Sequence, residues 1–305
     1  MDLYNLNLNY ANYNCSVDFK MLIIQEKLGM QLANRLFLFS HFIANSIENE
    51  YILINPTFDE YCQYFYATRE NNFGKYSIYT KFKINLPFIL FKVLVRLTEK
   101  IFSISKYHEF IQCPKTGELD LSDTNFLNKV KHKTVLANGW LFRDKKSFRK
   151  HSNIIRSYFT PDQEILHRID QLILDCRDEC DVLIGIHLRR GDFKLYQNGK
   201  FYFHDDVYVD KMEQIQTHFN SIGKRVLFLI CSNELVQEYN FKKYNTRLGI
   251  NKPIEDLYSL AKCDYLIGPP STYSMWASFY GKVPLLNINN QSQIVKLEEF
   301  CIVDG

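Results

Sequence analysis

Short apolar runs alternate with longer amphipathic stretches along most of this 305-residue chain. The apolar runs are typical of buried parallel strands, and the amphipathic stretches are typical of helices packed on a sheet. Strands are predicted at 21–24, 51–54, 135–140, 182–188, 226–230, 265–268 and 283–286. Helices are predicted at 32–48, 87–105, 207–219, 256–261 and 273–280, with a further one starting at 160. This alternation predicts an α/β protein with parallel sheets.

Two helix starts in the second half carry capping signals. Thr160 is the predicted N-cap of one helix, with Pro161 at its first position and Gln163 completing a capping box. Asp205 and Asp206 are predicted to cap the next helix along the chain. Both signals predict the residue at which a loop ends and a helix begins.

The length of the chain allows two domains, each with its own core. We expect an amino-terminal domain over 1–150 and a carboxyl-terminal domain over 151–305, both Rossmann-like and facing a cleft. The linker is expected within 143–159, where Lys and Arg are frequent and apolar periodicity is lost. The pattern assigns no order of elements to the aromatic segment 60–125.

Composition narrows the classes of partner. A formal net charge of +3 is too small to favour nucleic acid as a partner. The eight cysteines are scattered, without the paired spacing of zinc or redox sites. We therefore expect reduced, buried thiols and no bound metal.

Membrane contact rests on one segment, 86–106, because no stretch offers about 20 uninterrupted apolar residues. Lys92, Arg96, Lys100 and Lys106 recur there at nearly helical spacing beside an apolar face. Such a helix either lies in a membrane interface or packs on its own domain, and the second is the commoner case. Because the amino terminus lacks the apolar core of a signal peptide, we expect a cytoplasmic protein, with peripheral membrane contact as the alternative.

The strongest chemical signal is the sequence HLRRGD at 187–192, which ends a predicted buried strand. Ligands of open α/β sheets collect beyond the carboxyl ends of strands, and guanidinium groups match phosphate oxygens. Adjacent residues of a strand point to opposite faces, so one of Arg189 and Arg190 is expected to bind the ligand while the other supports it. The alternative is an Arg–Asp pair that merely locks a loop.

Three more polar segments follow predicted strands. They are 29–35, 231–234 and 269–276. Since the carboxyl ends of parallel strands share one edge of a sheet, these segments are expected to meet the arginine pair.

These segments resemble the GDP-fucose-dependent fucosyltransferases, above all the α-1,2-fucosyltransferases of glycosyltransferase family 11. Residues 187–192 resemble the H-x-R-R-x-D signature, and 29–35 resemble the G-x-L-G-N-[QR] loop. Residues 271–278 are similar to the S-x-S-x-S-W-W-A segment, and 231–234 to the S-D-[DE] strand end. The matches run in the family's order over about 27–288.

The sequence departs from the family pattern at four positions. Ala33 stands where glycine is usual, while Asn34 is retained. Tyr273 and Met275 replace other residues of the serine-rich segment. Asn233 replaces the aspartate that is expected to recognise guanine, and a neutral amide accepts only through its carbonyl oxygen.

The resemblance implies a GT-B-like fold of two Rossmann-like domains and an inverting, metal-independent transfer of fucose from GDP-fucose to a glycan hydroxyl. It places Arg189 on the β-phosphate, Arg190 as its oriented neighbour, and His187 on guanine or ribose. On sequence alone a histidine in a strand is more often a hydrogen-bonded core residue. The other implied donor-binding residues are Gly29, Ser232, Asn233, Ser271, Thr272 and Tyr273.

Two further residues are candidates for catalysis. Asn34 can orient an acceptor hydroxyl without deprotonating it. Asp192 is either a base or a carboxylate that holds Arg190, so the base stays unassigned. The resemblance implies no metal and no cofactor beyond the donor substrate.

Other functions stay open on the sequence. One is a related glycosyltransferase with another nucleotide sugar, which Asn233 permits. Another is a non-catalytic glycan- or nucleotide-binding protein. A phosphate- or RNA-binding protein is disfavoured because the chain lacks a basic stripe. The sequence predicts neither the acceptor and its linkage nor the oligomeric state.

Overall fold

The computed structural model describes residues 20–25, 31–81, 107–114 and 116–305. The strands of the first half are β1 (Met21–Ile24), β2 (Ile52–Ile54), β3 (Ile78–Tyr79), β4 (His108–Gln112), β5 (Leu119–Asp120), β6 (Thr134–Asn138) and β7 (Phe142–Arg143). Those of the second half are β8 (Val182–Leu188), β9 (Val226–Ser232), β10 (Thr246–Leu248), β11 (Tyr265–Gly268) and β12 (Leu285–Asn287).

Nine α-helices are described. They are α1 (Leu32–Asn49), α2 (Tyr66–Arg69), α3 (Thr124–His132), α4 (Lys145–Lys150), α5 (Ser152–Tyr158), α6 (Gln163–Glu179), α7 (Asp205–Ser221), α8 (Pro253–Leu260) and α9 (Thr272–Gly281). Strand and helix alternate through the described ranges, which confirms the predicted α/β class.

Each half holds a five-stranded parallel sheet. The strand order is β3-β2-β1-β6-β4 in the first half and β10-β9-β8-β11-β12 in the second. In the second sheet the order reverses between β8 and β11, and ligands of doubly wound folds bind at such a switch point. All seven residues of β8 are buried, as the apolar run predicts. The motif that follows β8 therefore begins at the switch point.

Aromatic rings join the two halves. Phe37 of α1 meets Trp276 of α9 edge to face, with ring centroids 5.2 Å apart. Phe148 of α4 lies 4.7 Å from Phe279 of α9. Because these side chains are buried, this contact fixes the start of α1 beside the start of α9.

The segment predicted as a linker is helical. α4 and α5 occupy most of 143–159, and Phe148, Ile155 and Phe159 are fully buried. These helices have only 6 and 7 residues, which is less than two full turns each, so their apolar residues show no helical periodicity. The boundary between residues 150 and 151 stays a proposal.

The predicted start of α6 is wrong by a few residues. Its N-cap is Asp162, whose carboxylate accepts a hydrogen bond from the Glu164 amide. Thr160 lies outside the helix because Pro161 forms an antiparallel bridge with Phe65. A tertiary contact thus overrides an acceptable capping sequence.

The predicted cap of α7 is also wrong. The N-cap is His204, which makes no side-chain capping bond, and Asp205 and Asp206 both lie in the first turn. There the carboxylates are favoured by the helix dipole rather than by capping geometry. α8 begins at Pro253 rather than at Asp256, since proline fits the first turn of a helix.

Several predictions fall on parts of the chain outside the described residues. These are the amino terminus, Gly29 and the basic helix at 87–105 within the segment 86–106. Peripheral membrane contact and a cytoplasmic location stay predictions. Among the described helices, none combines the length and apolar character needed to cross a bilayer.

The described cysteines carry free thiols. Six of them are buried, which confirms that part of the prediction, whereas Cys301 is exposed and corrects it. Its backbone forms an isolated antiparallel bridge with Leu285, while its side chain faces outward.

Candidate active site

The two arginines after β8 diverge, as strand alternation predicts. The Arg189 guanidinium donates to Gln31 Oε1 (2.5 Å) and to Asp192 Oδ2 (2.8 Å). The Arg190 guanidinium pairs instead with Asp205 in the first turn of α7. Arg190 is therefore anchored within the carboxyl-terminal half of the chain, while Arg189 reaches Gln31 in the amino-terminal half.

Asp192 holds Arg189 rather than Arg190. Its side chain is half exposed, whereas that of Arg189 is only 11% exposed. Arg189 also lies over the Phe193 ring, 5.4 Å from its centroid. A carboxylate, an amide and an aromatic face thus fix the guanidinium, which lowers the cost of orienting it for a ligand.

The start of α9 faces the start of α1. Ser271 is the N-cap of α9, and its hydroxyl accepts a hydrogen bond from the Tyr273 amide (3.3 Å). The Thr272 hydroxyl donates to Asn34 Oδ1 across the two halves (2.7 Å). A helix N-terminus with hydroxyl side chains is suited to hold phosphate oxygens.

His187 is buried near the end of β8, with only 4% of its surface exposed. Its ring lies 4.9 Å from that of Tyr273, whose hydroxyl donates to the Pro253 carbonyl (2.6 Å). Burial, reinforced by the charge of Arg189, lowers the pKa of His187 to about 3. The imidazole is therefore neutral at physiological pH. Within the described residues, its Nδ1 has no hydrogen-bond partner.

Asn233 supports the turn that carries the arginines. Its Oδ1 accepts a hydrogen bond from the Arg190 amide (2.7 Å). The next residue, Gly191, has φ +50°, and a Cβ there would lie 2.9 Å from Asn233 Nδ2. The carbonyl oxygen of Asn233 thus holds the Arg190 amide, and its amide group is a donor that can contact a nucleobase.

Ser232 and Glu234 flank this position. The Ser232 hydroxyl accepts a hydrogen bond from the Glu234 amide (3.2 Å). Glu234 pairs with Lys194 of the loop after β8 (3.5 Å). These contacts hold the loops after β8 and β9 together.

The structure thus brings together the described candidates from both halves, and it adds three residues that sequence reasoning missed. Gln31 precedes α1 within the loop that resembles the family, but the motif does not specify that position. Phe193 and Asp205 follow HLRRGD and gain their roles only from the path of the loop. Among the described residues, no group of three or more His, Cys, Asp or Glu side chains could hold a metal ion.

Comparison with known families gives a match to glycosyl transferase family 11 over residues 90–299. The chain belongs to this family. The resemblance seen in the sequence is therefore confirmed, and this family 11 member is a glycosyltransferase. A search of curated proteins gives no match.

Solved structures with the same fold are fucosyltransferases. A mutant of Arabidopsis thaliana FUT1 in complex with GDP has a TM-score of 0.60 at 13% identity and aligns over 89% of this chain and 72% of its own. Fucosyltransferase NodZ from Bradyrhizobium has a TM-score of 0.55 at 13% identity, covering 90% of this chain and 97% of its own. POFUT1 in complex with GDP-fucose has a TM-score of 0.54 at 12% identity, covering 87% and 95%. At such low identity these likenesses establish the fold, which confirms the expected GT-B-like class.

The buried, neutral His187 should make the stability of the enzyme depend on pH. Its folded pKa of about 3 lies below the ordinary value of 6.5, so the unfolded chain takes up a proton first as the pH falls. This contribution is fully present above pH 6.5 and is lost as the pH falls below it. Between about pH 7.5 and pH 5.5 it should cost about 1.4 kcal/mol of unfolding free energy.

Urea denaturation at both pH values, for the wild type and His187→Gln, measures this contribution. The variant is expected to lose less stability between the two pH values, because its side chain does not titrate. Equal losses in the two proteins would show that His187 takes up a proton in the folded state.

Proposed function

We propose that this enzyme is an inverting fucosyltransferase that moves fucose from GDP-fucose to a glycan hydroxyl without a metal ion. The supporting observation is the division between the arginines. Arg189 follows β8 at the switch point of the second sheet and reaches Gln31 of the other half, while Asp205 holds Arg190 away from it. A single fixed cation at this position suits the diphosphate of a nucleotide-sugar donor.

The main requirement of the reaction is stabilisation of the diphosphate leaving group. As the bond between fucose and the β-phosphate breaks, negative charge grows on the phosphate oxygens. Arg189 meets that charge with a planar pair of N–H donors. Gln31 and Asp192 orient it before the donor arrives.

The start of α9 supplies further donors. The Ser271 and Thr272 region offers hydroxyls and backbone N–H groups to the phosphates. Asn34, which accepts from Thr272, keeps its amide group to orient the acceptor hydroxyl. These residues position both substrates at the junction of the halves.

Asp192 is the candidate base in this scheme. A phosphate that takes the guanidinium of Arg189 competes with the carboxylate that now occupies it. Asp192 would then be released to accept the proton of the attacking hydroxyl. Attack from the face opposite the diphosphate inverts the anomeric centre.

A second candidate is transfer from another nucleotide sugar. It is favoured by Asn233, whose carbonyl oxygen is engaged by the Arg190 amide. A carboxylate would accept from guanine N1–H and from its 2-amino group with two oxygens, whereas Asn233 has one acceptor oxygen, which already accepts from the Arg190 amide. The identity of the donor's nucleobase is therefore the feature that binding and transfer assays with several nucleotides should determine.

Substitution of Arg189 by lysine should reduce turnover about a hundredfold, since a point charge cannot replace a planar fork on a diphosphate. The loss corresponds to about 3 kcal/mol of transition-state stabilisation. Steady-state release of GDP from GDP-fucose measures it.

Arg225→Lys provides a matched control, because Arg225 is an exposed arginine paired with Asp181. Its turnover is expected to equal that of the wild type. Turnover near the wild-type value in Arg189→Lys would remove Arg189 from the mechanism.

The purified enzyme should release nucleotide from GDP-fucose in EDTA as fast as in Mg²⁺ or Mn²⁺. The reason is that Arg189 supplies the cationic charge that a divalent ion would supply, and Asp205 is committed to Arg190. A panel of nucleotide sugars, assayed with and without EDTA, tests the donor and the metal together. Loss of release in EDTA that a divalent ion restores would overturn the metal-free proposal.

Asn233→Asp should tighten the binding of GDP and leave that of UDP unchanged. The carboxylate keeps an acceptor for the Arg190 amide and adds a charged acceptor for the guanine edge. Such a bond contributes about 1 to 3 kcal/mol, which isothermal titration resolves. Weaker GDP binding by the variant, or tighter binding of another nucleotide by the wild type, would favour the second candidate.

A further inference from the structure

A groove lies where the loop after β2 meets the chain entering α6. Its walls are joined by the bridge between Phe65 and Pro161 and by a hydrogen bond from the Asp162 amide to the Tyr64 carbonyl (2.9 Å). Arg69 pairs with Asp162 across the groove. Its volume is about 910 Å³, which falls within the range of ligand sites.

The lining combines one exposed aromatic face with planar polar groups. Tyr66 is 64% exposed, although the Arg69 guanidinium lies over one side of its ring, 5.8 Å from the centroid. Beside it lie the exposed side chains of Arg69, Asn72, Gln163 and Glu164. Within the described ranges, the side chains of Gln163 and Glu164 form no hydrogen bond, so their polar atoms are available to a ligand.

We propose that this groove binds the oligosaccharide chain of a glycan acceptor, at a subsite separate from Arg189. This inference rests on the proposed function. A sugar ring presents an apolar face of C–H groups and a rim of hydroxyls. An exposed tyrosine ring matches the face, while amide, carboxylate and guanidinium groups match the hydroxyls with fixed pairs of donors and acceptors.

The charges of the groove argue for this class of ligand. Arg69 is balanced by Glu70 and Asp162, and Glu164 adds a further negative charge. A polyanion such as a nucleic acid would meet these carboxylates, and a lipid chain would leave the polar groups desolvated. A neutral, hydroxyl-rich chain is not repelled by the carboxylates, and its hydroxyls can form hydrogen bonds with the polar groups.

The groove also lies on the appropriate side of the fold. The loop that bears Tyr66 leaves the carboxyl end of β2, which is parallel to β1. α6 leads into β8, so its start lies at the carboxyl edge of the second sheet. The guanidinium of Arg35, in the first turn of α1, donates to the Thr57 carbonyl (2.7 Å) and lies over the Tyr61 ring. The segment that leads to Tyr66 is thus tied directly to the first turn of α1.

A glycan array tests the groove without relying on transfer. Wild type and Tyr66→Phe are expected to retain the same oligosaccharides, because both keep the aromatic face. Tyr66→Ala and Gln163→Ala should bind them about tenfold more weakly, as expected for the loss of one ring or hydrogen-bond contact. Titration of the best oligosaccharide from the array gives these affinities.

Tyr107→Ala is a matched control, since Tyr107 is another exposed tyrosine, next to the amino end of β4. It should bind glycans as the wild type does. Thermal unfolding of each variant checks that the exposed substitutions leave the fold intact. Nucleotide release from GDP-fucose in the absence of glycan should be unchanged in Tyr66→Ala.

The outcomes separate the groove from the proposed function. Loss of glycan binding in Tyr66→Ala with unchanged nucleotide release supports the inference. Equal glycan binding by wild type and Tyr66→Ala, or no oligosaccharide retained by the wild type, overturns it. Failure of the wild type to release GDP from GDP-fucose would count against the proposed function while leaving the glycan result to stand by itself.

Discussion

The packing of α1 against α9 is the contact on which the candidate site depends. Phe37 and Trp276 bury two large rings against each other, and burial of such side chains is the main favourable term in folding. Because helices are rigid, this contact also fixes their first turns. Asn34 can therefore bond Thr272, and Gln31 can reach Arg189, although each pair is contributed by different halves of the chain.

Because successive side chains after β8 point in opposite directions, the two arginines have different partners. Arg190 turns back to Asp205 and ties the loop to α7, while Arg189 turns to the other half. Burying two like charges side by side would be costly unless each has a partner. The separate carboxylates, Asp192 and Asp205, meet this requirement and leave one of these two guanidinium groups directed toward the other half.

Neutral groups complete the environment of Arg189. His187 stays unprotonated because burial and the adjacent cation both oppose a second positive charge. Asn233 uses its carbonyl oxygen to hold the Arg190 amide, which makes it part of the scaffold before any nucleotide binds. Its departure from the family's aspartate thus alters the charge beside the arginines while preserving the acceptor that the turn needs.

The sequence alone predicted the buried strands and the helices that connect them. A strand that is buried on both faces consists of a run of apolar residues, and such a run can be recognised without knowing which residues it contacts. The apolar run 182–188 matches the observed β8 residue for residue. The family resemblance also pointed to Arg189, Asn34 and Thr272, whose contacts join the two halves and whose roles stay a proposal. β4 escaped prediction because it is an edge strand with only Ile111 buried, so its residues form no apolar run.

Tertiary structure decided what local preference could not. Pro161 pairs with Phe65, which moves the start of α6 from a good capping sequence to Asp162. The assignment of Asp192 to Arg189, rather than to Arg190, depends on the path of the loop after β8. The groove beside Tyr66 exists only because distant segments meet there. Such contacts join residues far apart in the chain, and neither periodicity nor composition carries information about which of them come together.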